Sequence, residues 1–153
     1  MDGSIEAYKK YLSDHPAGTY IDRANTALSR LDYLPNLKLG PASIERTNMA
    51  DDPKGDLNGW RLKTEVTNNG DKTLRVVELH VDLKNASGEL LKSDRWWAVA
   101  PDLKIQAAPP SMRAPLEPGG VRMFEWTYAD MDLKREAEGA TQFIARVTDI
   151  QFK

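Results

Sequence analysis

Trp60-Arg61-Leu62-Lys63-Thr64-Glu65-Val66-Thr67 and Val77-Glu78-Leu79-His80-Val81-Asp82-Leu83-Lys84 flank the tetrapeptide Asn68-Asn69-Gly70-Asp71. In both octets one alternate set of side chains is largely apolar and the other is polar or charged. That period of two marks a strand with one buried and one wet face. Asn and Gly accept positive φ, so the tetrapeptide is expected to close the two runs into one long hairpin. The two runs form the centre of a small antiparallel β-sandwich, and no catalytic motif interrupts them.

Downstream, Asn85-Ala86-Ser87-Gly88 turns the chain into a further strand from Glu89 to Ala100. Pro101, Pro109, Pro110, Pro115 and Pro118 then punctuate a stretch in which only Leu103 and Ile105 suggest a short strand. A loop this long in a compact domain is often a binding element. Leu116-Glu117-Pro118-Gly119-Gly120 launches an aromatic strand with Phe124, Trp126 and Tyr128 on one face, read first as core, and Val121 and Met123 on the other. Asp130 to Gly139 reads as a charged loop or a single helical turn. The last strand alternates Phe143, Ala145 and Val147 and then changes phase to Ile150 and Phe152, which predicts a bulge near Thr148-Asp149. Upstream, Leu37, Leu39 and the Ile44 segment predict a first strand, with Pro41 at a bend or an edge position. Residues 48–59 read as a polar, turn-rich loop. The chain therefore carries about seven strands at the spacing of a sandwich.

The first 36 residues have a different period. Ile5, Tyr8, Tyr11 and Leu12 recur at three- and four-residue steps, the apolar stripe of a helix, with Ser4 as its N-cap. His15-Pro16-Ala17-Gly18 breaks that helix, because proline disfavours helical geometry in the preceding residue and Gly18 tolerates a left-handed turn. Thr19, with Asp22 three residues on, is expected to cap a second helix whose stripe is Ile21, Ala24, Ala27, Leu28 and Leu31. Pro35 ends it. The division expected is a helical hairpin flank over residues 1–36 and a β-sandwich over residues 37–153.

The string Ala7-Tyr8-x-x-Tyr11-Leu12-x-x-x-Pro16-x-Gly18-x-Tyr20-x-x-x-Ala24-x-x-x-Leu28 resembles the helix-turn-helix unit of tetratricopeptide-like proteins of bacterial envelopes. A solenoid needs about three such units to bury its faces. The hairpin is thus either a structural flank packed on the sandwich or the last repeat of a longer array.

A second resemblance covers roughly Leu37 to Lys153. Val66-x-Asn68-Asn69-Gly70-Asp71-Lys72-Thr73-Leu74, then Val77-x-Leu79-x-Val81-x-Leu83-x-Asn85-x-x-Gly88-x-Leu90, then Leu116-x-Pro118-Gly119-x-x-x-x-Phe124, is similar to the FxLYD type of bacterial immunoglobulin-like domain. Val81, Lys84 and Asn85 stand where that family has its name-giving aromatic, tyrosine and aspartate. The resemblance implies a mainly β fold, a seven-stranded antiparallel immunoglobulin-like β-sandwich behind the N-terminal α-helical hairpin. It also implies an extracytoplasmic setting, periplasmic or in the cell envelope, with any signal or anchor outside this chain.

Composition narrows the function. Lys and Arg number 21 against 23 Asp and Glu, and the two signs are interspersed. Neither a nucleic-acid footprint nor a membrane-surface face is expected from such a pattern. The chain has no cysteine, which removes disulfides, thiolate catalysis and Cys-based metal sites. No apolar run approaches the roughly 18 residues of a spanning helix, and no charged-then-apolar signal segment opens the chain. His15 sits beside a turn proline and His80 on a wet strand face, with no carboxylate at a metal-ligand spacing. No Gly-x-Ser-x-Gly elbow, phosphate-cradling loop or His-Glu-x-x-His occurs. Asp51, Asp52, Asp56 and Asn58 offer oxygens that Ca²⁺ could use, but Pro53 and Lys54 interrupt them and a solvated turn is the better reading. A non-enzymatic chain with no cofactor and no metal is expected.

Arg95-Trp96-Trp97 is the sharpest functional hint. Adjacent strand residues face opposite sides, so one tryptophan enters the core and its neighbour points out. An exposed tryptophan beside an arginine suits a protein interface or a sugar-stacking platform. Otherwise the long loop or the helical hairpin covers it. Two functions follow: a protein-interaction or structural module of the envelope, or a carbohydrate- or other ligand-binding module using Trp96 or Trp97. Pairing of an uncovered sheet edge with a partner strand is a further mode open to any sandwich.

Overall fold

In the structure, a computed structural model that describes residues 4–48, 58–101, 110–129 and 139–153, the two alternating runs lie at the centres of two facing sheets. The elements run α1 (Ile5–Asp14), α2 (Ile21–Tyr33), a 3-10 turn (Leu34–Asn36), β1 (Leu37–Leu39), β2 (Ser43–Asn48), β3 (Asn58–Asn68), β4 (Leu74–Lys84), β5 (Leu90–Val99), α3 (Pro110–Arg113), β6 (Val121–Ala129) and β7 (Gln142–Phe152). In the first sheet β1 and β2 follow one another along one edge of β3, and β6 pairs with the other edge. In the second, β4 is central between β5 and β7. Every pairing is antiparallel, and the chain crosses between sheets at β3–β4, β5–β6 and β6–β7, so β3 and β4 do not form the expected hairpin and the Asn68 turn instead carries the chain from one sheet to the other. This is the seven-stranded antiparallel immunoglobulin-like sandwich with an N-terminal helical hairpin. Its first two strands are one extended stretch bent at Gly40-Pro41-Ala42. Leu103 and Ile105, which suggested a separate strand, lie outside the described residues, as do Asp51, Asp52 and Asp56 of the polar loop and residues 130–138.

The alternation sorts side chains as expected. Leu62 and Val66 of β3, Val77, Leu79, Val81 and Leu83 of β4, Phe124 of β6 and Phe143 and Ile150 of β7 form the buried core. Glu78 pairs with Asp149 while Leu79 pairs with Val147, so Thr148 is the extra residue of a bulge. That bulge restores inward orientation to Ile150, which is fully buried. A similar extra residue, Ala98, lets Val99 point into the interior although Trp97, two residues before it, faces outward.

Turn chemistry differs from expectation at three places. Thr19 does not cap α2: the helix begins at Ile21, with Tyr20 before it and no side-chain cap. Thr19 falls inside a turn closed by the Ile21 N–H on the Gly18 carbonyl (3.3 Å), one residue too early to reach the helix. Among the described residues positive φ occurs only at Gly88, Gly119 and Gly139, so neither Gly18 nor the Asn68–Asp71 tetrapeptide adopts it. Instead, the Asn68 carboxamide oxygen accepts from the Gly70 N–H (3.1 Å) and turns the chain through its side chain. Pro118 and Gly119 (φ +73°) make the expected launch of β6, closed by the Gly120 N–H on the Glu117 carbonyl (2.9 Å).

Ser4 does cap α1, accepting from the Ala7 N–H at 3.1 Å. The hairpin packs on the sandwich as a flank, through α2 and the 3-10 turn against β7. Tyr33, buried at the end of α2, is its anchor. Its hydroxyl accepts from the Lys72 N–H (2.9 Å) and donates toward Asn68 Oδ1 (2.9 Å), and its ring meets Phe152 edge-on at 5.3 Å.

Candidate interaction surface

Arg95, Trp96 and Trp97 lie on β5, and the strand's pleat sends them to different environments. Trp96 turns inward and stacks on Trp126 with ring centroids 3.8 Å apart and planes 28° apart. Its indole N–H donates to the Tyr128 hydroxyl (3.0 Å), and that hydroxyl donates to Asp94. Burial first, and then the Asp94 hydrogen bond, push the Tyr128 phenol far above the usual tyrosine range, against the opposing pull of the Trp96 N–H. Lys92 completes the group, 3.4 Å from Asp94 and over the Tyr128 ring. This cluster bridges β5 and β6, the neighbouring edges of opposite sheets, and closes that side of the sandwich. Tyr128→Phe is therefore expected to lower stability by about 1–2 kcal/mol, since it strands the Trp96 N–H and removes a donor from Asp94. Urea unfolding measures it, with a change below about 0.3 kcal/mol counting against this closing role.

Trp97 points the other way, as the pleat requires. It is half-buried against Met112 of α3 and Ala100, which are joined by the Ala100 N–H on the Met112 carbonyl (2.8 Å). Arg122 holds that cover in place: its guanidinium donates to the carbonyls of Ser111, Ala114 (3.0 Å) and Pro115 (3.4 Å). Burial lowers the Arg122 pKa. The proline-rich loop, through its α3 turn, rather than the helical hairpin, thus covers the outer tryptophan. Neither ring stands open as half of a coplanar stacking platform.

Since Trp97 lies under α3 and Asp149 faces Arg30 of α2 at 4.0 Å, what remains accessible is part of the outer face of the β5–β4–β7 sheet. Its register places Arg95, His80 and Arg146 in one row across the three strands. Ser93, Asp82 and Ile144 form the next row, and Trp97, Glu78 and Asp149 the row on the other side. Asp82 accepts from Ser93 (2.6 Å), meets His80 Nε2 at 3.0 Å and lies 3.5 Å from Arg146. The Ser93 hydroxyl first, then His80 and Arg146, hold its carboxyl below the usual range. Glu78 accepts from Thr148 (3.1 Å) and faces Arg95 at 3.8 Å. The carboxylates are recessed and the guanidiniums outermost: the side chains of Asp82 and Glu78 are 15% and 17% exposed, those of Arg146 and Arg95 61% and 67%. Ile144 adds exposed apolar surface beside Arg146.

His80 lies on the outward face of β4, as its alternation predicts, and Asp82, two residues on, meets its Nε2 there. No sequence motif marks Arg146, Glu78 and Ile144 as site residues. Their strand alternation marks them as outward, but only the pairing of β4 with both neighbours brings them together. Among the described residues no group of three or more His, Cys, Asp or Glu side chains is placed to hold a metal, and no helix is long and apolar enough to cross a membrane.

No family model matches the chain, and no curated protein matches it. Among solved structures, it is similar to a protein assigned as ApaA from Bordetella pertussis, at 15% identity and a TM-score of 0.32, over 61% of this chain and 68% of that one. A Northeast Structural Genomics Consortium target, SoR45, matches at 7% identity and a TM-score of 0.36, over 78% of this chain and 86% of its own. Similarity at this level carries no functional information.

Proposed function

We propose that the chain is a non-enzymatic protein-interaction module of the bacterial cell envelope, working through the outer face of β5–β4–β7. One observation carries the reading: the rows of this face from Ser93 to Arg146 are accessible, with Arg95 and Arg146 standing above recessed carboxylates and Ile144 beside them. Exposed arginines with apolar neighbours on a rigid sheet are the side-chain chemistry that protein interfaces favour. The inward stacking of Trp96 and the covering of Trp97 weigh against the carbohydrate alternative, which needs open rings. The envelope setting rests on the resemblance of residues 66–90 and 116–124 to FxLYD-type domains.

A photo-crosslinking residue at Ser93, on this face, tests the reading against one at Asn25, on the exposed side of α2. In the producing cells Ser93 is expected to give discrete protein adducts and Asn25 none. Saturable glycan binding that is lost on Trp97→Ala, with no protein adduct from Ser93, would put the ligand-binding reading in its place.

A further inference from the structure

We propose that the cavity between the helical hairpin and β7 binds a free α-amino acid with an aliphatic side chain of leucine's size. The site lies apart from the rows that carry the protein-contact reading and does not depend on them. Its volume is about 220 Å³. Ala27, Arg30, Leu31 and Leu34, spaced so that they share one face of α2 and its 3-10 extension, form one wall. Tyr8 of α1 and the adjacent Thr148 and Asp149 of β7 complete it. Regular alternation would send one of two adjacent strand side chains to the other face, and the bulge at Thr148 is what lets both border the cavity.

The chemistry of the walls is divided. Tyr8, Ala27, Leu31 and Leu34 make one part apolar, while Arg30 and Asp149 supply one charge of each sign. Arg30 Nη1 and Asp149 Oδ1 are 4.0 Å apart, beyond hydrogen-bond length, and among the described residues neither side chain makes a hydrogen bond. Thr148, by contrast, is engaged by Glu78 (3.1 Å). A guanidinium and a carboxylate held side by side but unjoined match a molecule that carries a carboxylate and an ammonium on one carbon. A simple carboxylate would gain Arg30 but be repelled by Asp149, and a simple amine the reverse. Only the zwitterion satisfies both. Arg30 then donates to the α-carboxylate, Asp149 accepts from the α-ammonium, and the side chain lies against Leu31 and Leu34. A cavity of about 150 Å³ takes one benzene ring, so this one has room for about nine non-hydrogen atoms, the size of leucine. Tyr33, bonded to Asn68 and Lys72 just beyond Leu31, fixes the α2 wall and keeps the site pre-formed.

Isothermal titration calorimetry of the purified chain with L-leucine tests the proposal. Saturable binding is expected with a Kd of roughly 0.1–1 mM, the range open to so small a ligand. Leucinamide, which lacks the carboxylate, and isocaproate, which lacks the ammonium, should each bind about tenfold more weakly. Arg30→Gln should weaken leucine and remove its advantage over leucinamide, and Asp149→Asn should remove its advantage over isocaproate. A change of fold alone would not produce that exchange of preferences. Ala27→Leu, which fills the apolar part, should abolish binding, with circular dichroism confirming that each variant is folded. No saturable leucine binding up to about 10 mM, equal binding of the three ligands, or preferences unchanged in the variants overturns the proposal. A peptide ending in leucine that binds as tightly as leucine overturns it too, in favour of capture of a partner's C-terminus.

Discussion

Asn68→Ala is expected to lower the unfolding free energy by roughly 3 kcal/mol or more, a larger effect than that of most single substitutions. Asn68 is fully buried at the end of β3, and five neighbours depend on its carboxamide. The amide nitrogen donates to the carbonyls of Lys72 (2.8 Å), Leu116 (3.3 Å) and Glu117 (3.3 Å). The oxygen accepts from the Gly70 N–H and the Tyr33 hydroxyl. Its backbone adds two more bonds, to the Gly120 carbonyl (3.0 Å) and from the Gly119 N–H (2.7 Å). One side chain therefore ties the β3–β4 turn, the segment launching β6 and the helical hairpin to a single point. Truncation leaves several buried polar groups unpaired, and each such group costs about 1–3 kcal/mol, less than additively. Asn68→Asp should be no better, because an ionised carboxylate cannot donate and would face three carbonyls. Urea unfolding at constant m measures the effect, and a loss under about 1 kcal/mol would refute this account.

Asn68 also shows where sequence reading stops. Its tetrapeptide was legible as a turn, but the reason given for it, positive φ, was not the operative one. The turn is made by a side chain that bonds Gly70 and Lys72 locally but whose remaining partners lie 35 to 49 residues away, and no local pattern encodes those distances. By contrast, the two central strands and the bulge at Thr148 were legible, because burial on one face forces a period of two and an extra residue must break it. The opposed directions of Trp96 and Trp97 followed from the same pleat. Their covers did not: Met112 reaches Trp97, and Trp126 reaches Trp96, only through the packing of strands distant in sequence. The candidate surface has the same character. Glu78, His80 and Asp82 are readable as one outward set on β4, whereas Arg95 and Arg146 join them through register on either side.

Gly70→Ala should cost roughly 3 kcal/mol, although alanine suits its backbone. Gly70 lacks the left-handed φ that would itself demand glycine, so the demand is one of space. A Cβ there would lie 2.2 Å from the Tyr33 hydroxyl oxygen and 2.4 Å from the ring carbon bearing it. The ring is not free to retreat. Phe152 holds it edge-on, and its hydroxyl is bonded to Lys72 and Asn68 on the opposite sheet-to-sheet turn. Moving it far enough breaks those bonds and loosens the anchor of the hairpin, which is why one methyl group has so large a consequence. The cost thus belongs to Tyr33 rather than to the turn. In a Tyr33→Ala background, where the ring is gone, the same Gly70→Ala change should cost less than about 1 kcal/mol. A double-mutant cycle by urea unfolding reads the difference as a coupling of roughly 2 kcal/mol, and equal costs in the two backgrounds would locate the strain in the turn itself.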